Sequence, residues 1–298
     1  MGKIVIGTRG SELALWQAHF IKEQLEQRNQ IVELQIIKTK GDAIQHLGFD
    51  KIEGKGFFTK ELEDALLQGE IDLAVHSMKD LPTTQPKGLK ISALSYRDLP
   101  EDWLIIHPNA IDKNQLLQLK ENAIVGSSSS RRKSQIIDFR SDLSLQDIRG
   151  NVPTRLEKLR TGQFDAILLA AAGLHRLNLD LSAFKVIQFS PKEFIPAPAQ
   201  GVLALQIRVE DQALHQVLSH LHHPEVAACT QVERKVLQLF QGGCHLPLGV
   251  YCEKDSQGNF HAWAAYAENL NSSVKRVQMS SSTNAGLAQK IYEYLKNS

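Results

Sequence analysis

The sequence predicts an α/β protein of two similar lobes, each a mostly parallel sheet covered by helices, with a small third α/β domain at the end. Three observations carry this. Short apolar strands alternate with amphipathic helices from Lys3 to Arg208, one stretch of that alternation repeats, and the pattern changes from about Leu221 onward. A chain of 298 residues is long enough for two or three domains.

Lys3–Gly7 reads as the first strand, and Ser11–Gln27 as a helix with Leu13, Trp16, Phe20 and Leu25 on one broad face. Ile31–Ile37 alternates as a strand does. Thr59–Leu67 is expected to be a helix capped by Thr59 and stopped by Gly69, followed by a buried strand Ile71–Val75 that runs into His76-Ser77-Met78-Lys79-Asp80-Leu81-Pro82. The order then recurs. Strand Ala123–Val125 leads through Gly126-Ser127-Ser128-Ser129-Ser130-Arg131-Arg132 into a helix reaching about Arg140. Strand Leu143–Ile148 ends in Arg149-Gly150-Asn151, and helix Thr154–Arg160 precedes the buried strand Phe164–Ala170. The closest echo sets Leu67–Ala74 beside Arg160–Ile167, each a helix end, a glycine stop and a strand entered through an aspartate. Prolines in Phe194–Gly201 mark a connection before strand Val202–Arg208, which is expected to return to the first lobe. A helix Glu225–Phe240, strands around Leu248–Glu253, Phe260–Glu268 and Val274–Ser280, and a closing helix Ala285–Leu295 make the last domain. The expected boundaries are 1–96 with 199–219 for the first lobe, 101–195 for the second, and 222–298 for the C-terminal domain.

Composition narrows the function classes. Hydrophobic residues are 42% and charged residues 22% of the chain, ordinary values for a soluble protein. A formal charge of +1 gives no reason to expect nucleic acid or an anionic membrane as partner. No apolar run approaches the ~20 residues of a membrane span, and the apolar part of the N-terminus is too short for a signal peptide. Cys229, Cys244 and Cys252 form no metal-type pair, and the histidines have no ligand spacing, so no metal site is expected. Free thiols fit a reducing cytoplasm.

Basic and hydroxyl residues collect where the strands end. Arg9 and Ser11 follow the first strand, and Lys38, Lys40, Lys51 and Lys55 follow the second. The second lobe has Ser127–Ser130, Arg131 and Arg132, then Arg149 and Arg155, with Arg176 after its last buried strand. Helix N-termini with guanidinium groups beside them are sites for carboxylate or phosphate. Taken singly, any of these arginines is an ordinary solvated or ion-paired residue; as a set at equivalent strand ends they point to a polyanionic ligand. No nucleotide-binding glycine motif is present. One acid stands among the bases: Asp80 either accepts an N–H hydrogen bond and stabilises positive charge in a cationic cleft or forms a salt bridge with Lys79 or an arginine. Cys244, in Gly242-Gly243-Cys244-His245-Leu246-Pro247, is presented on a loop, as a nucleophile, a covalent tether or a spare surface thiol.

The motifs Thr8-Arg9-Gly10-Ser11-Glu12-Leu13-Ala14, Gly54-Lys55-Gly56-Phe57-Phe58-Thr59-Lys60-Glu61-Leu62, His76-Ser77-Met78-Lys79-Asp80-Leu81-Pro82, Gly126-Ser127-Ser128, Arg131-Arg132, Arg149-Gly150-Asn151-Val152, Pro198-Ala199-Gln200-Gly201 and Gly242-Gly243-Cys244 occur in an order that resembles the porphobilinogen deaminases, also called hydroxymethylbilane synthases. The resemblance runs from about Ile4 to Gly249. It implies a transferase that joins four porphobilinogen molecules head to tail, with loss of ammonia, on a dipyrromethane cofactor held by a thioether to Cys244. It implies that Asp80 serves the pyrrole nitrogens. Cofactor binding would fall to Lys55, Asp80, Ser127, Ser129, Arg131, Arg132 and Arg155, and substrate binding to Arg9, Ser11, Arg149, Arg155 and Arg176. Two departures are Ser130, where many relatives have leucine, and Gln241, where an acid is common. The expected molecule is a cytoplasmic monomer acting on a small substrate.

In fold terms the expectation is α/β, with two periplasmic-binding-protein-like lobes plus the small C-terminal α/β domain. Such lobes also suit a solute-binding protein for a polycarboxylate, which would need neither Asp80 nor a reactive thiol. A cysteine acyltransferase or hydrolase would need a base oriented beside Cys244, and the adjacent His245 is poorly placed for that.

Overall fold

The computed structural model describes residues 2–38, 59–243, 246–270 and 272–297. The chain divides into two compact units, Met1–Asp98 with Gly201–Ala228, and Leu99–Gln200 with Cys229–Ser298.

In the first unit β1 (Ile4–Thr8), α1 (Glu12–Glu26), β2 (Val32–Ile36), α2 (Lys60–Gln68), β3 (Leu73–Ser77) and β4 (Leu89–Leu94) follow in order. The second unit supplies β5 (Asp102–Ile106), β6 (Ile124–Gly126), α3 (Ser130–Phe139), β7 (Ser144–Gln146), α4 (Val152–Arg160), β8 (Ala166–Ala170), α5 (Ala171–Arg176) and β9 (Lys185–Gln188). The chain then returns as β10 (Leu203–Arg208) and α6 (Gln212–Ser219). The first sheet has the order β2-β1-β3-β10-β4 and the second β7-β6-β8-β5-β9. In each, the strand in fourth place is antiparallel to both neighbours and the other two pairings are parallel, so each sheet is mixed, with four of its five strands running the same way. That antiparallel strand is the last to join the first sheet and the first to join the second.

The repeat noticed in the sequence is exact in register. Ile6 pairs with Leu73 and Gly7 with Ala74, as Val125 pairs with Ala166 and Gly126 with Ile167. Asp72 accepts a hydrogen bond from the backbone N–H of Val5 at 2.9 Å, and Asp165 does the same for Ile124 at 2.9 Å. Gly7 and Gly126 are equivalent as well. A Cβ on Gly7 would press on the Ile71 side chain and one on Gly126 on the Phe164 ring, so a larger residue at either position would have to displace that neighbour. Each sheet is covered on both faces. Ile6, Ile21, Leu73, Leu205 and Leu214 pack on one side of the first, with Leu62, Leu66, Ile71 and Leu89 on the other. Leu104, Val125, Ile136 and Leu168 face Phe189 and Phe194 in the second, with Leu156, Leu159, Phe164 and Leu169 opposite.

Helix α7 (Pro224–Leu239), whose residues from Cys229 onward belong to the second unit, leads to the antiparallel strands β11 (Leu248–Lys254), β12 (Phe260–Tyr266) and β13 (Lys275–Ser281), closed by α8 (Leu287–Asn297). Phe240 packs its ring 4.5 Å from that of Tyr266 and 4.9 Å from that of Tyr292. Buried Glu233 of α7 accepts from Ala199 N at 2.6 Å and from Cys252 N at 2.8 Å, tying β11 to the proline-rich connection. Cys229 and Cys252 are buried thiols.

Several boundaries differ from the sequence reading. His76 and Ser77 belong to β3, not to the loop after it, because β10 pairs with them across the sheet. Helix α4 begins at Val152, capped by Asn151, whose side chain accepts from Thr154 N; Pro153 is accommodated in the first turn, where its missing N–H costs nothing. Thr59 sits at the start of α2 without a side-chain capping bond. Strands β4, β5 and β9 and helices α5 and α6 had no separate expectation.

Candidate active site

The expected site residues fall into two groups, one in each unit. In the first, the turn after β1 is built by its own polar side chains. Thr8 donates to Ala14 O at 3.0 Å, and Ser11 caps α1 by accepting from Ala14 N at 3.4 Å. Gln17, buried one turn on, donates to Ser77 Oγ at 2.9 Å and joins this helix to the end of β3. There Met78–Asp80 forms a 3-10 turn, fixed by Met78 N donating to Val202 O at 2.9 Å and by the burial of Met78 and Leu81. The turn leaves Asp80 exposed.

Beneath this turn lies a buried polar chain. His76 is 5% exposed, and burial pushes its imidazole down to about 4, reinforced by the positive charge of Arg9 and opposed by its hydrogen bond to Gln206. The ring is therefore neutral at pH 7. Gln206 donates through Nε2 to Gln85 Oε1 at 2.8 Å and to Glu63 Oε1 at 3.2 Å, which turns its own Oε1 toward His76. His76 Nε2 thus carries the proton and donates across 3.0 Å. Gln85 in turn donates to Pro82 O at 3.1 Å. Burial raises the carboxyl of Glu63, with the Gln206 bond opposing. The chain of bonds ends two residues beyond Asp80 and holds the segment that carries it.

The second group surrounds the N-termini of α3 and α4. Ser127 is buried and accepts from Ser129 N at 3.3 Å. Ser128 donates to Ile148 O at 2.7 Å, and Ser129 caps α3 by accepting from Arg132 N at 3.4 Å. These hydroxyls shape the loop as well as lining it. Arg131 and Arg132 are 5% and 7% exposed and converge on Asp102, which is completely buried. Arg131 donates to Asp102 Oδ2 at 2.6 Å and to Ile195 O at 2.9 Å. Arg132 donates to Asp102 Oδ1 through Nε at 3.0 Å and through a terminal nitrogen at 2.7 Å, and to Leu168 O at 3.1 Å. Gln200 Nε2 adds a further bond to Asp102 Oδ1 at 3.0 Å. Burial works against charge on Asp102, but the two guanidinium groups outweigh it and hold the carboxyl well below its usual range. Burial lowers Arg131, with Asp102 opposing.

Arg155 is the diagnostic residue. It is half-buried and donates through Nε to Gly150 O at 2.8 Å. Burial, then the charges of Arg132 and Arg149, push it down to about 10; the charged groups that move it are both cations. Guanidinium groups gathered in this way call for an anion. Arg149 is half-buried beside it, and Arg176 ends α5, 8% exposed.

The family model described as "Porphobilinogen deaminase, dipyromethane cofactor binding domain" matches residues 4–216. The porphobilinogen deaminase of Maridesulfovibrio salexigens is 43% identical over 258 residues, covering 86% of this chain and 82% of that protein. The chain belongs to the porphobilinogen deaminase family. The porphobilinogen deaminase of Helicobacter acinonychis is 45% identical over 252 residues, 84% of this chain and 80% of that one. Among solved structures, a probable amino-acid ABC transporter extracellular-binding protein from Bacillus subtilis aligns with a TM-score of 0.43 at 14% identity, over 74% of this chain and 91% of that one.

The cofactor named for the porphobilinogen deaminase family bears carboxylate side chains, and the cation cluster around Arg155 fits it. Of the expected residues, Arg9, Ser11 and Asp80 lie in the first unit, and Ser127, Ser129, Arg131, Arg132, Arg149, Arg155 and Arg176 lie in the second. Lys55 and Cys244 fall outside the described residues, as do Lys40, Lys51 and His245. Sequence reasoning missed Asp102, Gln200 and the His76–Gln206–Gln85 chain. The only local sign of Asp102 is an acid opening the apolar run Trp103–Ile106, and its meaning depends on sheet register.

Proposed function

We propose that this chain is a porphobilinogen deaminase: it condenses four porphobilinogen molecules stepwise, head to tail, releasing ammonia at each step and finally the linear tetrapyrrole hydroxymethylbilane. The observation that carries this reading, beside family membership, is Arg155 held among Arg132 and Arg149, with no described carboxylate among the charged groups that shift it. When bound, the dipyrromethane supplies the free pyrrole α-carbon on which the product is extended. Each pyrrole unit carries two carboxylates, and Arg131, Arg132 and Arg155, with Ser127, Ser129 and Lys55, take those of the cofactor. Arg9, Ser11, Arg149, Arg155 and Arg176 take those of the substrate. Asp80, exposed on a turn anchored from below, accepts a hydrogen bond from pyrrole N–H and stabilises the positive charge that develops as ammonia leaves. Its carboxylate also receives the proton lost when the new carbon–carbon bond forms. Cys244 forms the thioether.

The same reading makes the chain a cytoplasmic monomer whose partner is its small substrate, with the first lobe (1–96 with 199–219), second lobe (101–195) and C-terminal domain (222–298) as its parts. No described helix is long and apolar enough to cross a membrane. Intact-mass measurement of the purified protein tests the proposal: an adduct of two linked pyrrole units is expected, and its loss in Cys244→Ser. An active protein of unmodified mass would refute the tether.

A further inference from the structure

We propose that Asp102 is a positioning residue for the anion site: it aims the guanidinium groups of Arg131 and Arg132 at the cofactor carboxylates without touching them itself. The inference rests on the functional reading above and adds a residue to it.

The molecule contains its own control. The registers of the first four strands in each order superimpose the two sheets residue by residue. Leu203 of β10 lies opposite Ser77, and Asp102 of β5 lies opposite Ala170, the equivalent of Ser77. Asp102 therefore occupies the position that Leu203 fills in the first unit. The caps align the helices. Ser11 accepts from Ala14 N and Ser129 from Arg132 N, so Arg131 and Arg132 stand where α1 has Leu13 and Ala14. The alignment continues to Gln17 and Gln135, both buried and both six residues past the cap. The three charges of the second unit thus replace leucine, leucine and alanine in the first. The first unit forms the same sheet order and the same capped helix without them. The ionic cluster is not a requirement of the fold.

Stability gives no reason for it either. Removing two guanidinium groups and a carboxylate from water is a cost that their mutual attraction often only offsets, and apolar replacements of such clusters are commonly neutral or stabilising. What the apolar set cannot do is direct N–H groups. Asp102 takes one N–H of Arg131 and two of Arg132, while Ile195 O and Leu168 O take one from each. Both planes are set by these bonds, and the remaining N–H groups of each fork are left with a defined direction. Gln200, with Nε2 on Pro100 O at 2.8 Å and on Asp102, holds the carboxylate in turn. Asp102 also reduces the charge of a cluster that includes Arg155, so that the arginines can stay together before an anion arrives.

The experiment compares full-length wild type, Asp102→Asn and Asp102→Glu. Asp102→Glu keeps the countercharge but moves it by one methylene, which guards against a fold lost to unpaired arginines. Adduct occupancy is read by intact mass, and KM and kcat on the loaded fraction. Unfolding midpoints are measured in a Cys244→Ser background, where no adduct contributes. Occupancy is expected to fall at least tenfold in both variants and KM to rise about tenfold, with the Asp102→Glu midpoint close to that of Cys244→Ser alone. Full occupancy in folded Asp102→Asn overturns the proposal. So does rescue of occupancy by Asp102→Glu, since charge alone would then suffice. Absence of an adduct from the wild type overturns the functional reading, and the proposal with it.

Discussion

The neutral, buried His76 makes acid a selective probe of the first unit. Its imidazole titrates near 4 in place of the ordinary 6.5. The folded protein therefore refuses a proton that the unfolded chain accepts between those values. The unfolded state binds more protons throughout this window, so stability rises with pH from about 4 to 6.5 and is lost in the other direction. At about 1.36 kcal/mol per unit, the whole shift is worth about 3 kcal/mol, and about 2 kcal/mol is already gone at pH 5. Replacing His76 with glutamine removes the titration while keeping an amide N–H that can face Gln206. Glu63 responds with the opposite sign, since its raised carboxyl favours the fold at lower pH, but it is present in both proteins and drops out of the comparison. Urea unfolding of wild type and His76→Gln at pH 7.5, 6, 5 and 4.5 is the assay. The gap between them at pH 7.5 is expected to narrow by about 2 kcal/mol at pH 5. Parallel loss of stability in the two would refute the argument, because it would mean that His76 takes up its proton equally in both states.

Other expectations follow from the same geometry. Asp80→Asn keeps the shape of the turn and removes the charge, so the protein should retain its adduct while turnover falls at least ~100-fold, the scale of lost acid–base or electrostatic assistance; near-normal turnover would exclude Asp80 from its role. Arg155→Gln removes the cation whose charged neighbours are Arg132 and Arg149, and should lower adduct occupancy without lowering the thermal midpoint of the Cys244→Ser background. Asp72→Ala and Asp165→Ala each leave a part-buried backbone N–H without its acceptor, at Val5 and Ile124 respectively, and each should cost about 1–3 kcal/mol in urea unfolding. A cost at one position and none at the other would contradict the equivalence of the two units.

The order of elements in the chain was legible because periodicity and stop signals are local. The apolar strands Ile4–Thr8 and Ala166–Ala170 and the αL glycines Gly69 and Gly162, with φ of 75° and 72°, could be read from neighbours a few residues away. The aspartate echo was also legible, because each member caps the adjacent strand in the same way. Strand β5 carried no such signal of its role. Its partners, β8 and β9, come more than sixty residues later, and its direction is set only by that pairing. The same holds for His76, assigned to a loop until β10 returned to pair with it.

Chemistry divides along the same line. From residue types alone came a polyanion-binding protein with one acid among its bases and a thiol on a loop, since charge and nucleophilicity belong to side chains wherever they are placed. Tertiary structure decided which charges balance one another inside. Asp102, 29 residues before Arg131 in the chain, neutralises part of that cluster, while Arg155 is left among cations. Coulomb attraction and desolvation depend on distances and burial that only the assembled sheet defines.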